Sequence, residues 1–205
     1  MKSIRKAAEG GAPPPPPPPL PPVGNKAAIQ PPAPKPPAVL TPKDPARALL
    51  VYLLIFNGAP FKDHWAYWMP SPTNPNIGVL IHATGDVKDG FKFEVKRSYD
   101  FTTTANRPTA KVPLQWVEAS DADQEAMFNH GKNKVDGTPI GRFETALYSV
   151  KVPGKSLNAS DDRAKSGTKV IQRNCQTWIV ESADELVARS FFEKEVAAYL
   201  HAIEQ

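Results

Sequence analysis

Sixteen of the 24 prolines lie in the first 45 residues, seven of them in an unbroken run from Pro13 to Pro19. Proline has no backbone N–H and a fixed φ, so this stretch builds neither a helix nor a sheet ladder. It has little apolar surface to bury, which leaves the entropy of ordering unopposed. Residues 1–45 are therefore expected to form a disordered proline-rich arm, and residues 46–205 one folded domain. A domain of ~150 residues buries roughly 70% of the surface its unfolded chain exposes, enough for a core without staples. The segment Pro13–Pro22 prefers polyproline II, at ~3.1 Å per residue. It suits the aromatic-lined grooves of profilin, WW or SH3-type domains, and equally a stiff spacer with no partner.

Charge divides along the same line. The first 45 residues hold six basic and two acidic side chains; the other 160 hold 19 of each. The pI of about 9.1 thus belongs to the arm. A nucleic-acid-binding domain would carry its basic residues as a patch on the fold. Lys92, Lys96 and Arg97 are the nearest approach to one, and they read as a solvated strand face. With a single cysteine, Cys175, no intramolecular disulfide can form. The N-terminus lacks the apolar stretch of a secretory signal. The longest apolar run, Ala48–Phe56, is far short of the ~20 residues of a membrane-spanning helix. Together these features suggest the cytoplasm or nucleus.

Turn chemistry and periodicity predict an α+β domain. Ala46–Phe56 reads as a buried strand ended by Asn57-Gly58. His64–Met69 and Ile77–His82 flank a Pro- and Asn-rich loop and read as a hairpin. After Asp89-Gly90, residues Phe91, Phe93 and Val95 alternate with Lys92, Glu94 and Lys96, the pattern of a half-buried antiparallel strand. Val112–Val117 is a further strand and Asp121–Asn129 a short helix ended by Gly131. Arg142–Val150 is ambiguous, and Ser156–Lys169 reads as a polar loop. Asn174 can cap a helix that starts at Cys175, and a second helix covers Phe192–Ile203.

Three residues stand out chemically. In a hairpin symmetric about Thr73, His64 and His82 fall directly opposite one another. Cross-strand partners share a face, so one imidazole could hold the other in a fixed tautomer, as a catalytic base requires. A one-residue slip would separate them onto opposite faces. Cys175, in the first turn of its helix, is placed where the helix N-terminus and a nearby histidine would lower the thiol pKa. Backbone N–H groups around it could form an oxyanion hole. Each residue also has a plainer reading, as a surface or half-buried histidine and a small buried hydrophobe. His130 and His201 read as surface residues. One cysteine and four scattered histidines do not supply a zinc site. No Gly-rich phosphate loop is present. No cofactor or metal is expected.

The series His64-Trp65-Ala66 on a strand, His82 on the next, and Asn174-Cys175 opening a late helix resembles the permuted papain-like fold of the NlpC/P60 superfamily. It is most similar to the lecithin retinol acyltransferase-like branch. That resemblance implies an antiparallel sheet packed against a Cys-bearing C-terminal helix, with His64 as general base, His82 as its orienter and Cys175 as a nucleophile forming a thioester. Asn174, Gln176 and Trp65 would support them. That branch continues Asn-Cys-Glu-His-Phe, whereas this chain continues Asn174-Cys175-Gln176-Thr177-Trp178. The latter start is similar to that of uncharacterised fungal proteins, which implies no activity.

Two functions compete. One is a thiol hydrolase or acyltransferase working through Cys175, His64 and His82. The other is a non-catalytic interaction module or pseudoenzyme that presents its polyproline arm to a partner. They differ in whether Cys175 is activated.

Overall fold

Among the described residues six antiparallel strands form one sheet, in the order β5-β1-β2-β3-β4-β6. The structure is a computed structural model and describes residues 32–155 and 172–205. The expected arm as far as residue 31 and the expected loop at Ser156–Lys169 lie outside the described residues. The main compact unit runs from Pro34 to Gln205. It begins upstream of Ala46, and Pro37, Val39 and Pro42 are half-buried in it.

β1 (Ala48–Phe56) is apolar on both faces because it is interior to the sheet, between β2 and β5. β2 (His64–Pro70), β3 (Ile77–Asp86) and β4 (Gly90–Asp100) follow as a meander. β5 (Ala110–Glu118) returns to the far side of β1. Three short helical turns follow, the first two being α1 (Ala119–Ala122) and α2 (Gln124–Met127). The single expected helix over Asp121–Asn129 is broken because Asp123 is left-handed, at φ 41°. β6 (Lys134–Asp136), unforeseen in the sequence, pairs with Val95–Arg97. α3 (Gly141–Ser149) resolves the ambiguous segment as helix, and α4 (Cys175–Ala188) and α5 (Lys194–Ile203) complete the fold.

The pleat sorts side chains into two cores. Leu53, Trp65, Tyr67, Ile81 and Val95 face the helices and pack with Phe143, Trp178 and Ile179. Leu54, Phe56, Ala66, Trp68, Leu80 and Phe101 form a smaller cluster on the opposite face. Trp68 fits there because Gly78 has no side chain: a Cβ would lie 2.5 Å from the Trp68 ring.

Arg97 departs from its expected solvated position: it is 1% exposed. The alternation that points Phe91, Phe93 and Val95 at the helices points Arg97 there too. Its fork meets both Glu144 oxygens at 2.9 Å, Asp136 at 3.3 Å, and the Met127 and Thr138 carbonyls at 3.0 and 2.9 Å. Such matching is what a buried charge needs.

Candidate functional site

β2 and β3 pair about Asn74, as Tyr67↔Ile81 and Trp68↔Leu80. The hairpin is therefore offset by two residues from symmetry about Thr73. An even offset preserves the shared face, so His64 and His82 are diagonal neighbours where directly opposed partners were expected. Their rings meet edge to face, with His64 Nε2 2.7 Å from His82 Nδ1. His82 Nε2 in turn lies 3.1 Å from Glu94 Oε1, and His82↔Glu94 are direct cross-strand partners. Glu94 is a member the sequence reading missed.

This chain fixes its own tautomers. Burial, with the positive charge of Lys96 added, lowers the His64 pKa to about 4. Burial and then His64 itself lower His82 to about 4. Burial pushes Glu94 upward, but the His82 hydrogen bond, Lys96 and Lys92 take it below the ordinary carboxylate range. Glu94 is thus a carboxylate that only accepts, and His82 Nε2–H donates to it. A neutral His82 then accepts at Nδ1 from His64 Nε2–H. The lone pair of His64 is left on Nδ1, the nitrogen a general base would use.

Cys175 approaches from the other direction. Asn174 caps α4, its Oδ1 accepting from the Gln176 and Thr177 N–H groups at 2.8 and 3.3 Å. The Thr177 hydroxyl accepts from the Asn174 N–H at 3.3 Å and closes a capping box. The Gln176 and Thr177 N–H groups of the first turn are therefore occupied by the cap, which limits the oxyanion hole expected from the N–H groups around Cys175. Cys175 is 8% exposed, and its thiol points at the Asp63 carbonyl oxygen over a long 3.9 Å. Burial raises its pKa, outweighing the nearby N–H groups of Trp65, Gln176 and Cys175 and the charge of Lys62. The expected lowering of the thiol pKa is thus reversed, because desolvation exceeds what the helix start supplies.

His64 and Cys175 line one cavity of about 560 Å³, together with Pro60, Phe61, Val87, Phe91 and Asn174. Among the described residues no hydrogen bond joins the thiol to His64. Gln176 is fully buried, its Nε2 donating to the Asp63 carbonyl at 2.9 Å. Trp65 lies in the helix-side core, its Nε1 without a hydrogen-bond partner among the described residues. His130 and His201 are exposed, paired with Glu125 and Asp184. Among the described residues no group of three or more His, Cys, Asp or Glu side chains could hold a metal ion, and no helix is long and apolar enough to cross a membrane.

One family pattern matches residues 51–193, a span that contains His64, His82, Glu94 and Cys175. The chain belongs to DUF6540, a family of unknown function. The match starts inside β1 and stops just before α5, so it omits the proline-rich arm and Gln205. No curated protein and no solved structure matches the chain.

Proposed function

We propose that this chain is a thiol-dependent hydrolase or acyltransferase, with Cys175 as nucleophile and His64 as general base. The observation that supports the reading is the His64–His82–Glu94 chain. It leaves a lone pair on His64 Nδ1 beside a cavity that Cys175 also lines. The permuted papain-like, NlpC/P60 and lecithin retinol acyltransferase-like kinship belongs to this same proposal.

The resting pair is a neutral thiol and a neutral imidazole, so the reaction begins without a preformed thiolate. As Sγ attacks an acyl carbonyl and the S–C bond forms, the thiol proton passes to His64 Nδ1, directly or through one water. His82 and Glu94 stabilise the imidazolium that results. Collapse of the tetrahedral intermediate breaks the bond to the leaving group, which takes that proton from His64 and leaves a thioester. Water or a second acceptor then attacks the thioester, gives its proton to His64, and Sγ departs and is reprotonated.

The test is acylation of Cys175 by p-nitrophenyl acetate, followed by intact mass. A thioester adduct is expected that is absent in Cys175→Ser. Its rate of formation should drop by about 10²–10⁴ in His64→Ala, the usual worth of a general base. The wild-type rate should fall as pH drops through about 4, where His64 gains its proton. An adduct that forms equally fast without His64 would sink the reading.

A further inference from the structure

The two chain segments that carry the thiol and the base are joined by a third. Among the described residues Gln205 makes five hydrogen bonds, four of them to the residues adjacent to His64 and Cys175 and the fifth to Lys62. Its backbone N–H donates to Gln176 Oε1 at 2.9 Å. Its side-chain Oε1 accepts from the Asp63 N–H at 2.9 Å and from Gln176 Nε2 at 3.1 Å. Its Nε2 donates to Asp63 Oδ2 at 3.1 Å. Its carbonyl oxygen accepts from Lys62 Nζ. Asp63 immediately precedes His64, and Gln176 immediately follows Cys175. Glu204 adds a contact to the same helix start, accepting from the Thr177 hydroxyl at 3.0 Å.

The two segments also meet directly, where Gln176 Nε2 donates to the Asp63 carbonyl. That same carbonyl holds the resting thiol. Small displacements of a reacting pair are costly, so whatever sets the spacing of Asp63 and Gln176 sets the approach of Sγ to Nδ1. Gln205 is exposed, so its side chain holds these bonds against the competition of water.

We propose that Gln205 is a positioning residue, a clasp that holds the start of β2 against the start of α4 so that His64 can serve Cys175. The proposal rests on the thiol-enzyme reading above. The clasp acts by spacing the two segments and keeping water out from between them: its carboxamide touches neither the thiol nor the imidazole.

Because the carboxamide donates to a carboxylate, the bond can be reversed in polarity. Gln205→Glu sets two carboxylates against each other and should open the clasp. Adding Asp63→Asn supplies a donor from the other side and should close it again. Rates of Cys175 acylation by p-nitrophenyl acetate are measured in the full chain from pH 4 to 8, with thermal melting beside them. Gln205→Glu, which loses the bond to Asp63 Oδ2, is expected to slow acylation about tenfold, the worth of one such hydrogen bond, and Gln205→Ala, which loses three, at least as much, with little change in melting. In both, the acid limb should move from about 4 toward the ordinary histidine value, as water reaches His64. The Asp63→Asn/Gln205→Glu pair is expected to regain most of the rate and the original limb. If the single variants acylate at the wild-type rate while His64→Ala is slow, the clasp is overturned and the enzyme reading stands. If His64→Ala is as fast as wild type, both fall. A double variant no faster than Gln205→Glu alone also overturns the clasp.

Discussion

Two charged clusters flank the same sheet, and they are finished differently. Under the helices, the five contacts of Arg97 to Glu144, Asp136 and two carbonyls use the guanidinium on every side. Burial lowers the Arg97 pKa, but Glu144 and Asp136 more than restore it, so the net shift is upward. On the other face, Glu94, His82 and His64 form a line, and the line ends in a nitrogen with no proton. Saturation at Arg97 fixes the packing of β4 on α3. The unspent lone pair at His64 has a cavity beside it. A buried polar cluster whose valences all close inside the protein is a structural device; one that ends at a cavity can act on something else.

The largest effect separating the two should come from Glu144→Gln. Removing one partner of a buried ion pair typically costs about 3–5 kcal/mol. For a domain of this size that lowers the melting temperature by roughly 10 °C. Whatever fraction remains folded should acylate Cys175 normally. A melting temperature within a degree or two of wild type would show that Arg97 is solvated after all.

The histidine line should appear as acid sensitivity. His64 and His82 both titrate near 4 in the folded protein, against an ordinary value of about 6.5. Between those values the unfolded chain binds more protons than the folded one, so stability falls as pH decreases through that window. The loss is on the order of 3 kcal/mol for each ring by pH 4. Urea midpoints taken from pH 7 to pH 4 measure it directly. Replacing both histidines by glutamine should flatten the curve, and an unchanged slope would place the acid sensitivity elsewhere.

Much of this was legible in the residues, for reasons that also explain the omissions. The shared face of His64 and His82 follows from parity, which survives a two-residue error in register. Direct opposition does not survive it, and the loop alone could not say whether the turn centres on residue 73 or 74. Glu94 was within reach. A turn at Asp89-Gly90 centred on Lys88 puts His82 opposite Glu94, and the alternation through Phe91, Phe93 and Val95 sets Glu94 on the other face. The same alternation puts Arg97 inside, against what its charge alone suggests. β6 gave no signal, since three residues, two of them exposed and one half-buried, become a strand only because β4 offers an edge. The burial of Cys175 is a tertiary fact, set by Asp63, Trp65 and Gln176, and no local pattern encodes it.

A smaller effect tests the end of the line that sets the tautomers. Glu94→Gln keeps the shape but replaces a pure acceptor with a group that can accept or donate. His82 is then free to adopt either tautomer, and His64 Nδ1 is no longer reliably bare. Acylation should slow about tenfold, as for other outer-shell partners of histidine. Melting should change little, in contrast to Glu144→Gln. A rate equal to wild type would mean that His64 does not depend on the line behind it.

The smallest effect concerns the rim. Lys96 Nζ stands 3.7 Å from Glu94 Oε1 and is partly exposed, and its charge contributes to lowering both histidines. Lys96→Gln should therefore raise the acid limb of acylation by about half a unit, the scale of a partly screened surface charge. The same change relieves Glu94 of a stabilising cation and raises its pKa. Salt should mimic the substitution in wild type and have little further effect in the variant, because the interaction it screens is already gone. If neither salt nor the substitution moves the limb, burial alone holds His64 neutral. The contrast between the clusters would then rest on desolvation: one answers it with counter-charge, the other by giving up its protons.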